Sequence, residues 1–302
     1  MIKTFNSDNY KISYKSQGSG RDILLLHGFP SNIYMWDDIV KELLVKNYRV
    51  TTVEQRGYPL SISNSMTRND FTIDKLSRDI EILIKTLDLS NSITLVGHDW
   101  GTVVAWAILK RNIVKIENVL SICGGTLFPS TDVYSSLSYD DGEHYITSFQ
   151  KPRDASNLLN QNINNSLLGA YRTKNKEPNT NLSMQSLFND FNHTEYALDE
   201  SQIDTLSKHF EKHGFYGPIS WYANLDNNIL LSNEWTHNHV SQQVTFLFGE
   251  KDIAVSLNQK MIERLRKVAD LVKIREISGA GHWLPYTHKE SVLHEIYSFY
   301  KD

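Results

Sequence analysis

Strand-like and helix-like segments alternate at both ends of this chain of 302 residues, and the alternation stops in the middle. In the first part, short apolar runs predict strands, which are 12–14, 23–26, 49–53, 92–96 and 116–122. Between them, apolar residues at helical spacing predict helices over 35–45, 73–87 and 102–109. Such alternation is typical of a mostly parallel sheet with helices on both faces. The sequence therefore predicts an α/β fold.

The middle of the chain, from 126 to 239, lacks strand-like runs and is rich in Asn, Ser and Asp. Helical spacing there covers 155–168, 200–213 and 218–225. Alternation then returns, with strands at 244–248 and 271–277 and helices at 256–267 and 289–300. We therefore expect a helical cap domain of residues 126–239 inserted into a core formed by residues 1–125 and 240–302.

Charge and composition exclude several classes of partner. The chain has 31 Lys and Arg against 35 Asp and Glu, a net charge of −4. Nucleic-acid and anionic-membrane partners require a basic surface, so we expect neither. The start of the chain does not resemble a signal peptide, and no apolar run approaches the ~20 residues of a membrane helix. Since Cys123 is the one cysteine, no intrachain disulfide forms. We expect a cytoplasmic protein, monomeric or homodimeric.

The strongest local motif is Gly97-His98-Asp99-Trp100-Gly101, which follows a predicted strand and precedes a predicted helix. This is the context of a nucleophile elbow, a tight turn that requires small flanking residues. Its central residue is Asp99, not Ser. A carboxylate is ionised at neutral pH and needs no base to attack a saturated carbon, which leaves an ester on the enzyme.

A second loop, His27-Gly28-Phe29-Pro30, directly follows a predicted strand. A loop in this position offers a backbone N–H to a developing oxyanion, together with the N–H of the residue after the nucleophile. The predicted donors are Phe29 and Trp100. The Phe29–Pro30 bond is a candidate cis peptide.

Two more candidates follow the last two predicted strands. Asp252 comes after the strand 244–248, and His282 after the strand 271–277, in the segment Gly281-His282-Trp283. Catalytic groups in α/β sheets collect at the carboxyl ends of strands. The order Asp99, Asp252, His282 is nucleophile, acid, base, as in α/β-hydrolases. Glu250 is a rival for the acid.

These motifs resemble those of the epoxide hydrolases of the α/β-hydrolase fold, close to the soluble epoxide hydrolases, over the chain from about Tyr10 onward. The segment 54–61 also resembles the family's Asp-x-Arg-Gly-x-Gly-x-Ser loop, with Glu54 and Pro59 as departures. We interpret those departures as changes to a structural turn.

The resemblance also implies two cap-domain tyrosines that hydrogen-bond and protonate the epoxide oxygen. The segments 145–152 and 217–224 resemble those that carry them, which assigns the roles to Tyr145 and Tyr222. A strained ether leaves poorly unless its oxygen gains hydrogen bonds, and a phenol donates one without being charged. Tyr139 and Tyr171 are rivals for the second role.

The resulting hypothesis is an enzyme that converts a small apolar epoxide and water to a vicinal diol, with no metal and no organic cofactor. A haloalkane dehalogenase with the same Asp nucleophile is the nearest alternative. However, the corresponding loop of that family resembles His-Gly-Asn-Pro, or a variant with another polar side chain in the third position. In this chain the third position of the loop is Phe29. A receptor on an inactive hydrolase fold is a further alternative, which normally requires a broken triad. The histidine pairs 209/213 and 237/239 are interpreted as surface or packing positions, not metal ligands.

Overall fold

The computed structural model describes residues 1–89, 92–125, 138–140, 142–172, 182–189, 195–235, 239–252 and 259–300. Its strands are β1 (Lys3–Ser7), β2 (Tyr10–Gln17), β3 (Arg21–Leu26), β4 (Tyr48–Glu54), β5 (Ile93–His98), β6 (Ile116–Ile122), β7 (Ser138–Tyr139), β8 (Gly142–Glu143), β9 (Val240–Gly249) and β10 (Ala269–Ile277). Eight of them form one sheet in the order β1-β2-β4-β3-β5-β6-β9-β10. The pairs β1–β2 and β2–β4 are antiparallel and the others parallel. The predicted mostly parallel sheet is confirmed.

Helices of the first part pack against this sheet. They are α1 (Asp37–Val45), which follows a 3-10 turn at Ile33–Trp36, α2 (Ile73–Thr86) and α3 (Trp100–Arg111). The apolar side chains of α2 that the spacing placed on one face are buried. α3 is buried almost all round, because it lies under the sheet at the centre of the core.

The described residues between β6 and β9, called the helical insertion below, form seven helices and the short β7–β8 pair. The helices are α4 (Tyr145–Ser148), α5 (Pro152–Asn160), α6 (Ile163–Ala170), α7 (Met184–Asn189), α8 (Glu200–Phe210), α9 (Tyr216–Tyr222) and α10 (Leu225–Asn233). The single helix predicted over 155–168 is wrong, because the Asn162 side chain accepts a bond from Asn165 N and starts a new helix. The pair β7–β8 was not predicted. The division into two domains at residues 125 and 240 stays a prediction.

After β9, the chain returns to the core through α11 (Gln259–Val268), α12 (Leu284–Thr287) and α13 (Lys289–Ser298). Two strands of the sheet lie here, as the sequence predicted, and they pair in parallel. β9 begins at Val240, four residues before the predicted strand. Within the ranges described above, each helix is too short or too polar to cross a bilayer.

Polar bonds tie α9 and α10 of the helical insertion to backbone atoms of the core. The indole of Trp221 donates to the carbonyl of Arg56 at 3.0 Å, and the Asn224 amide donates to the carbonyl of Arg68 at 2.7 Å. In the other direction, the N–H of Ile73 donates to the Asn228 side chain at 2.9 Å. Since these groups are largely buried, each bond avoids an unsatisfied polar atom at the contact between core and insertion.

Glu54 adds a charged bond to the same contact. Its fully buried carboxylate accepts from the N–H of Ile33 at 2.8 Å and lies 2.6 Å from Nε2 of His209 on α8. Burial acts to raise the pKa of Glu54, but the hydrogen bond and charge of His209 outweigh it, and the net shift is downward. The interpretation of Glu54 as a change to a local turn, and of His209 as a surface or packing position, is therefore incomplete. Together they form a side-chain hydrogen bond between core and insertion, which is an ion pair when the imidazole is protonated.

We expect Glu54→Ala to lower the free energy of unfolding by about 3 kcal/mol, because it leaves the N–H of Ile33 and the ring of His209 without their buried acceptor. Asp204→Ala is the matched control, since Asp204 forms an exposed ion pair with Lys208 on the same helix. It should change stability by less than about 0.5 kcal/mol. Urea unfolding of both variants measures the difference, and equal midpoints would contradict the assignment.

Candidate active site

Asp99 lies at a sharp turn between β5 and α3. Its backbone has φ of 52° and ψ of −120°, in the region that residues with side chains rarely adopt. The turn is possible because its flanks are glycines: a Cβ at Gly101 would lie 2.2 Å from the carbonyl oxygen of Leu26, and one at Gly97 would lie 2.5 Å from the backbone of Gly101. The strand, turn and helix of the predicted elbow are confirmed.

The carboxylate of Asp99 is held by backbone donors. The N–H of Phe29 donates to Oδ1 at 2.8 Å, and the N–H of Trp100 also bonds to the side chain. Gly28 allows this approach, because a Cβ there would lie 2.4 Å from Oδ1. Burial raises the pKa of Asp99, against the opposing effects of the His282 charge and of these two N–H groups. The two predicted oxyanion donors, the N–H groups of Phe29 and Trp100, therefore both bond to the Asp99 carboxylate. The Phe29–Pro30 peptide is cis, as predicted.

His282 lies between the two predicted carboxylates. Its Nδ1 is 3.0 Å from Oδ1 of Asp252, and its Nε2 is 3.9 Å from Oδ2 of Asp99. Burial acts to lower the pKa of His282, but the charge and hydrogen bond of Asp252 and the charge of Asp99 outweigh it and raise the pKa. Since Asp252 accepts from Nδ1, it holds the ring with Nε2 directed toward Asp99.

The rival acid Glu250 points elsewhere. It is exposed, and its carboxylate accepts from the N–H of Gly279 at 2.8 Å and from the hydroxyl of Ser278 at 2.9 Å. These two hydrogen bonds stabilise the turn that follows β10. Asp252 is therefore the carboxylate that contacts His282.

Tyr145 and Tyr222 face the same cavity as Asp99 and His282. Their ring centroids are 6.1 Å apart, and the ring of Tyr222 lies 5.0 Å from that of Trp100. Burial and then the charge of Asp99 raise the pKa of Tyr222 well above its usual range, so the phenol is neutral. The side chain of the rival Tyr139 lies outside the described part of the chain.

The other rival, Tyr171, is fully buried and stacks on Trp283 with ring centroids 4.0 Å apart. Its nearest ring neighbours, Trp283 and Tyr286, belong to the segment after β10. The ring therefore packs beside the cavity wall, while Tyr145 and Tyr222 line the cavity itself.

Gln150 links the two tyrosine-bearing helices. Its side-chain amide donates to the carbonyl of Ile146 on α4 and to the carbonyl of Tyr222 on α9, each at 3.0 Å. Gln150 lies within the segment 145–152 and has no role predicted from the sequence. No local pattern in the sequence indicates its contact with Tyr222, which is 72 positions away.

The remaining wall of the cavity includes Pro30 in the loop after β3 and Trp283 in the segment after β10. Its other residues belong to the helical insertion and were not predicted; they are Ala170, Arg172, Leu187 and Phe188. Most of these residues are apolar, so the cavity favours an apolar ligand with its polar atoms near Asp99 and the tyrosines.

Residues 23–289 match the family model of the alpha/beta hydrolase fold. This match covers most of the chain. The chain belongs to the α/β-hydrolase fold family, and the predicted fold class is confirmed.

Several relatives are epoxide hydrolases by name. The chain is 27% identical to Epoxide hydrolase 3 of Mus musculus over 100% of this chain and 77% of the relative, and 26% identical to Epoxide hydrolase A of Mycobacterium tuberculosis over 92% and 89%. It is 24% identical to Bifunctional epoxide hydrolase 2 of Sus scrofa over 90% of this chain, but spans only half the length of that relative. The predicted resemblance to epoxide hydrolases is confirmed.

Solved structures show the same fold. An epoxide hydrolase A from Mycobacterium thermoresistibile superposes with a TM-score of 0.87 at 22% identity, covering 99% of this chain and 97% of that one. An epoxide hydrolase from Vigna radiata gives a TM-score of 0.85 at 25% identity, with the same coverage.

If Asp252 orients His282, Asp252→Ala should lower turnover by about 10⁴-fold, the loss that follows removal of the orienting carboxylate in comparable triads. Glu250→Ala is the matched control two residues away and should retain turnover, because its carboxylate contacts only the turn after β10. Steady-state rates of both purified variants, with circular dichroism to verify folding, check the assignment. A larger loss in Glu250→Ala would reverse it.

Proposed function

We propose that this protein is an epoxide hydrolase that adds water to a small apolar epoxide and releases a vicinal diol. The observation that carries the proposal is that two phenols, Tyr145 and Tyr222, line the same cavity as the carboxylate of Asp99. A nucleophile and hydrogen-bond donors on one cavity are what the opening of a strained ether requires. The names of the relatives support the same activity.

In the first step, an oxygen of Asp99 attacks a ring carbon and forms an alkyl ester, while the bond from that carbon to the epoxide oxygen breaks. The released oxygen takes its proton from the tyrosine pair. The indole N–H of Trp100 bonds to the hydroxyl of Tyr222, where it acts to lower the pKa of that phenol. Since the indole can only donate, it occupies a lone pair of Tyr222 and leaves the phenol proton available to the substrate.

In the second step, His282 takes a proton from water, and the resulting hydroxide attacks the carbonyl carbon of the Asp99 ester. The N–H groups of Phe29 and Trp100 hold the oxyanion, and the diol leaves as the carboxylate is restored. The proton that His282 accepts balances the one that the tyrosine pair supplied, so each cycle consumes one water. The helical insertion acts as a cap that carries the two phenols over the nucleophile.

Ester formation itself prepares His282 for this step. The negative charge of Asp99 helps to raise the pKa of His282 in the free enzyme. The ester carries no charge, so the pKa of His282 falls when Asp99 is alkylated and the ring releases its proton. The imidazole of His282 is therefore neutral, and able to accept a proton from water, once the ester has formed.

Two contacts count against haloalkane dehalogenation. Phe29 has no side-chain donor for a halide, and its ring packs edge-on against Phe149 and Tyr222 at centroid distances of 5.5 and 5.6 Å. The indole of Trp100 bonds to Tyr222, which leaves it unavailable as a halide ligand.

Activity is tested with a styrene-type epoxide and a haloalkane in parallel, measuring diol and free halide. We expect diol from the epoxide, and a loss of about 10²-fold in kcat for Tyr222→Phe and for Tyr145→Phe. Tyr216→Phe on the same helix as Tyr222 is the control and should retain the rate, because Tyr216 does not line the cavity. Halide release that survives both tyrosine substitutions would favour the dehalogenase and reject the epoxide hydrolase.

The two steps should respond differently to pH. His282 must be neutral to accept a proton. In the ester, burial acts to lower its pKa, while the charge and hydrogen bond of Asp252 still act to raise it from 6.5. Burial also raises the pKa of Asp99, but from a lower starting value of 3.8. Lowering the pH from about 8 to about 5.5 should therefore slow hydrolysis before it slows attack. The enzyme fraction trapped as ester, measured by the mass of the acid-quenched protein, should rise.

His282→Gln is the limiting case and should hold the ester at every pH, while Asp99→Ala should form none. A single turnover in heavy-oxygen water should place the label in the Asp99 carboxylate. Label found only in the diol would exclude the ester route. An ester fraction that falls as the pH is lowered would exclude His282 as the base of the second step.

A further inference from the structure

Behind the catalytic histidine, three residues far apart in the sequence meet in one buried cluster. His98 ends β5, Cys123 follows β6 and His282 follows β10. One nitrogen or sulfur atom of each lies within 4.8 Å of the others, and all three residues are buried. The sequence analysis found no local metal-binding spacing, because such a cluster arises only from the order of the strands.

The protonation of His98 is fixed by its surroundings. Its Nε2 lies 2.9 Å from the carbonyl oxygen of His282, and a carbonyl can only accept, so Nε2 carries the hydrogen. Burial lowers the pKa of His98 to about 3, so the ring is neutral and Nδ1 keeps a lone pair. Within the described part of the chain, that buried nitrogen has no hydrogen-bond partner. An unsatisfied buried acceptor of this kind requires an explanation.

Cys123 adds a soft ligand to the same cluster. Its backbone has φ of 51°, and its sulfur lies 4.0 Å from the carbonyl of Gly281, next to His282. Burial and the neighbouring charge of Asp252 raise the pKa of the thiol, so it is protonated in the absence of a cation. A thiophilic ion displaces that proton, which leaves to solvent as the sulfur–metal bond forms.

We propose that His98, Cys123 and His282 form an inhibitory site for a soft divalent cation of the zinc and cadmium type. Two imidazoles and a thiolate are the ligands such ions prefer. Ligand atoms on one tetrahedral ion lie about 3.5 Å apart, so each atom has to move by less than about 1 Å. The carboxylates of Asp99 and Asp252, both next to His282, offset the charge of the ion.

The cavity provides the route, since His282 lines it beside Asp99. Both nitrogens of His282 have a function in the proposed reaction: Nδ1 bonds to Asp252, and Nε2 faces Asp99. A cation that binds either nitrogen removes the base. Binding therefore stops ester hydrolysis, and a fully loaded enzyme is inactive.

The test uses chelator-treated protein titrated with Cd²⁺ alone, in a buffer that does not bind metals. Calorimetry should show one ion per chain, and an ultraviolet thiolate-to-cadmium charge-transfer band should grow with the same stoichiometry. Mg²⁺, which prefers oxygen ligands, should give neither signal. Diol formation should fall in proportion to the bound cadmium.

In Cys123→Ala the charge-transfer band should vanish and Cd²⁺ should bind at least about tenfold more weakly, since one of three ligands is lost. Cys123→Ser, which keeps the size and polarity of the side chain, serves if the alanine variant does not fold. His98→Gln keeps a donor for the carbonyl of His282 and should weaken Cd²⁺ binding while the thiolate band persists at saturation.

Absence of the band in the wild-type protein would overturn the proposal, and so would equal affinity in wild type and Cys123→Ala. Because calorimetry and the charge-transfer band require no substrate, their outcome is independent of the proposed epoxide hydrolase activity. Cadmium binding by a protein whose metal-free form turns over no epoxide would support the site and reject the activity.

Discussion

The negative charge of Asp99 governs the chemistry of this site. The carboxylate is buried, and its main stabilising contacts are two backbone N–H groups and the nearby imidazole of His282. Its charge helps to raise the pKa values of His282 and Tyr222 alike. When an ester forms in the proposed reaction, that charge disappears and both pKa values fall. Tyr222 then becomes a better proton donor, and His282 becomes neutral and able to accept a proton from water.

The sheet places these groups together through its register. Leu26 of β3 pairs with Gly97 of β5, so the loop after β3 brings the N–H of Phe29 onto the carboxylate two residues past Gly97. Ile122 of β6 pairs with Leu247 of β9, which brings Cys123 and the segment of Asp252 to the same edge. The carboxyl ends of parallel strands collect side chains in this way whatever their distance in sequence. The same register that builds the triad also builds the His98–Cys123–His282 cluster behind it.

The sequence predicted those features that depend on neighbouring residues. The Asp99 turn needs glycines on both sides, and such a requirement is visible within five positions. The pairing of His282 with Asp252 was predicted from the order of the strands and a family resemblance, and the exposed position of Glu250 resolves the choice that the sequence left open.

Other features depend on side chains that meet across the tertiary structure. From the sequence, Glu54 was interpreted as a change within a structural turn. In the structure its carboxylate contacts His209, which is 155 positions away. The break at Asn162 depends on one side chain that caps a helix against the apolar periodicity around it. No pattern in the sequence indicates that His98 and Cys123 lie in one cluster, because they lie at the ends of two strands that pair in space. How far a side chain reaches, and in which direction it points, depend on the three-dimensional fold. A pattern in the linear sequence therefore does not predict these contacts.

The two phenols are held by different means, and the difference has a consequence for the proposed reaction. Tyr222 follows Trp221 on α9, whose indole is fastened to the backbone of Arg56 in the core. Tyr145 lies on the one-turn helix α4, and its N–H bonds to Leu182 within the helical insertion. Gln150 joins the two helices, since its amide donates to a carbonyl on each. The core therefore fixes Tyr222 directly, while Tyr145 is fixed relative to Tyr222. Because both phenols must approach one oxygen atom in the proposed reaction, their separation matters as much as their distance from Asp99. Gln150 contributes to that separation, together with the ring contacts of Phe149 with Tyr145 and Tyr222.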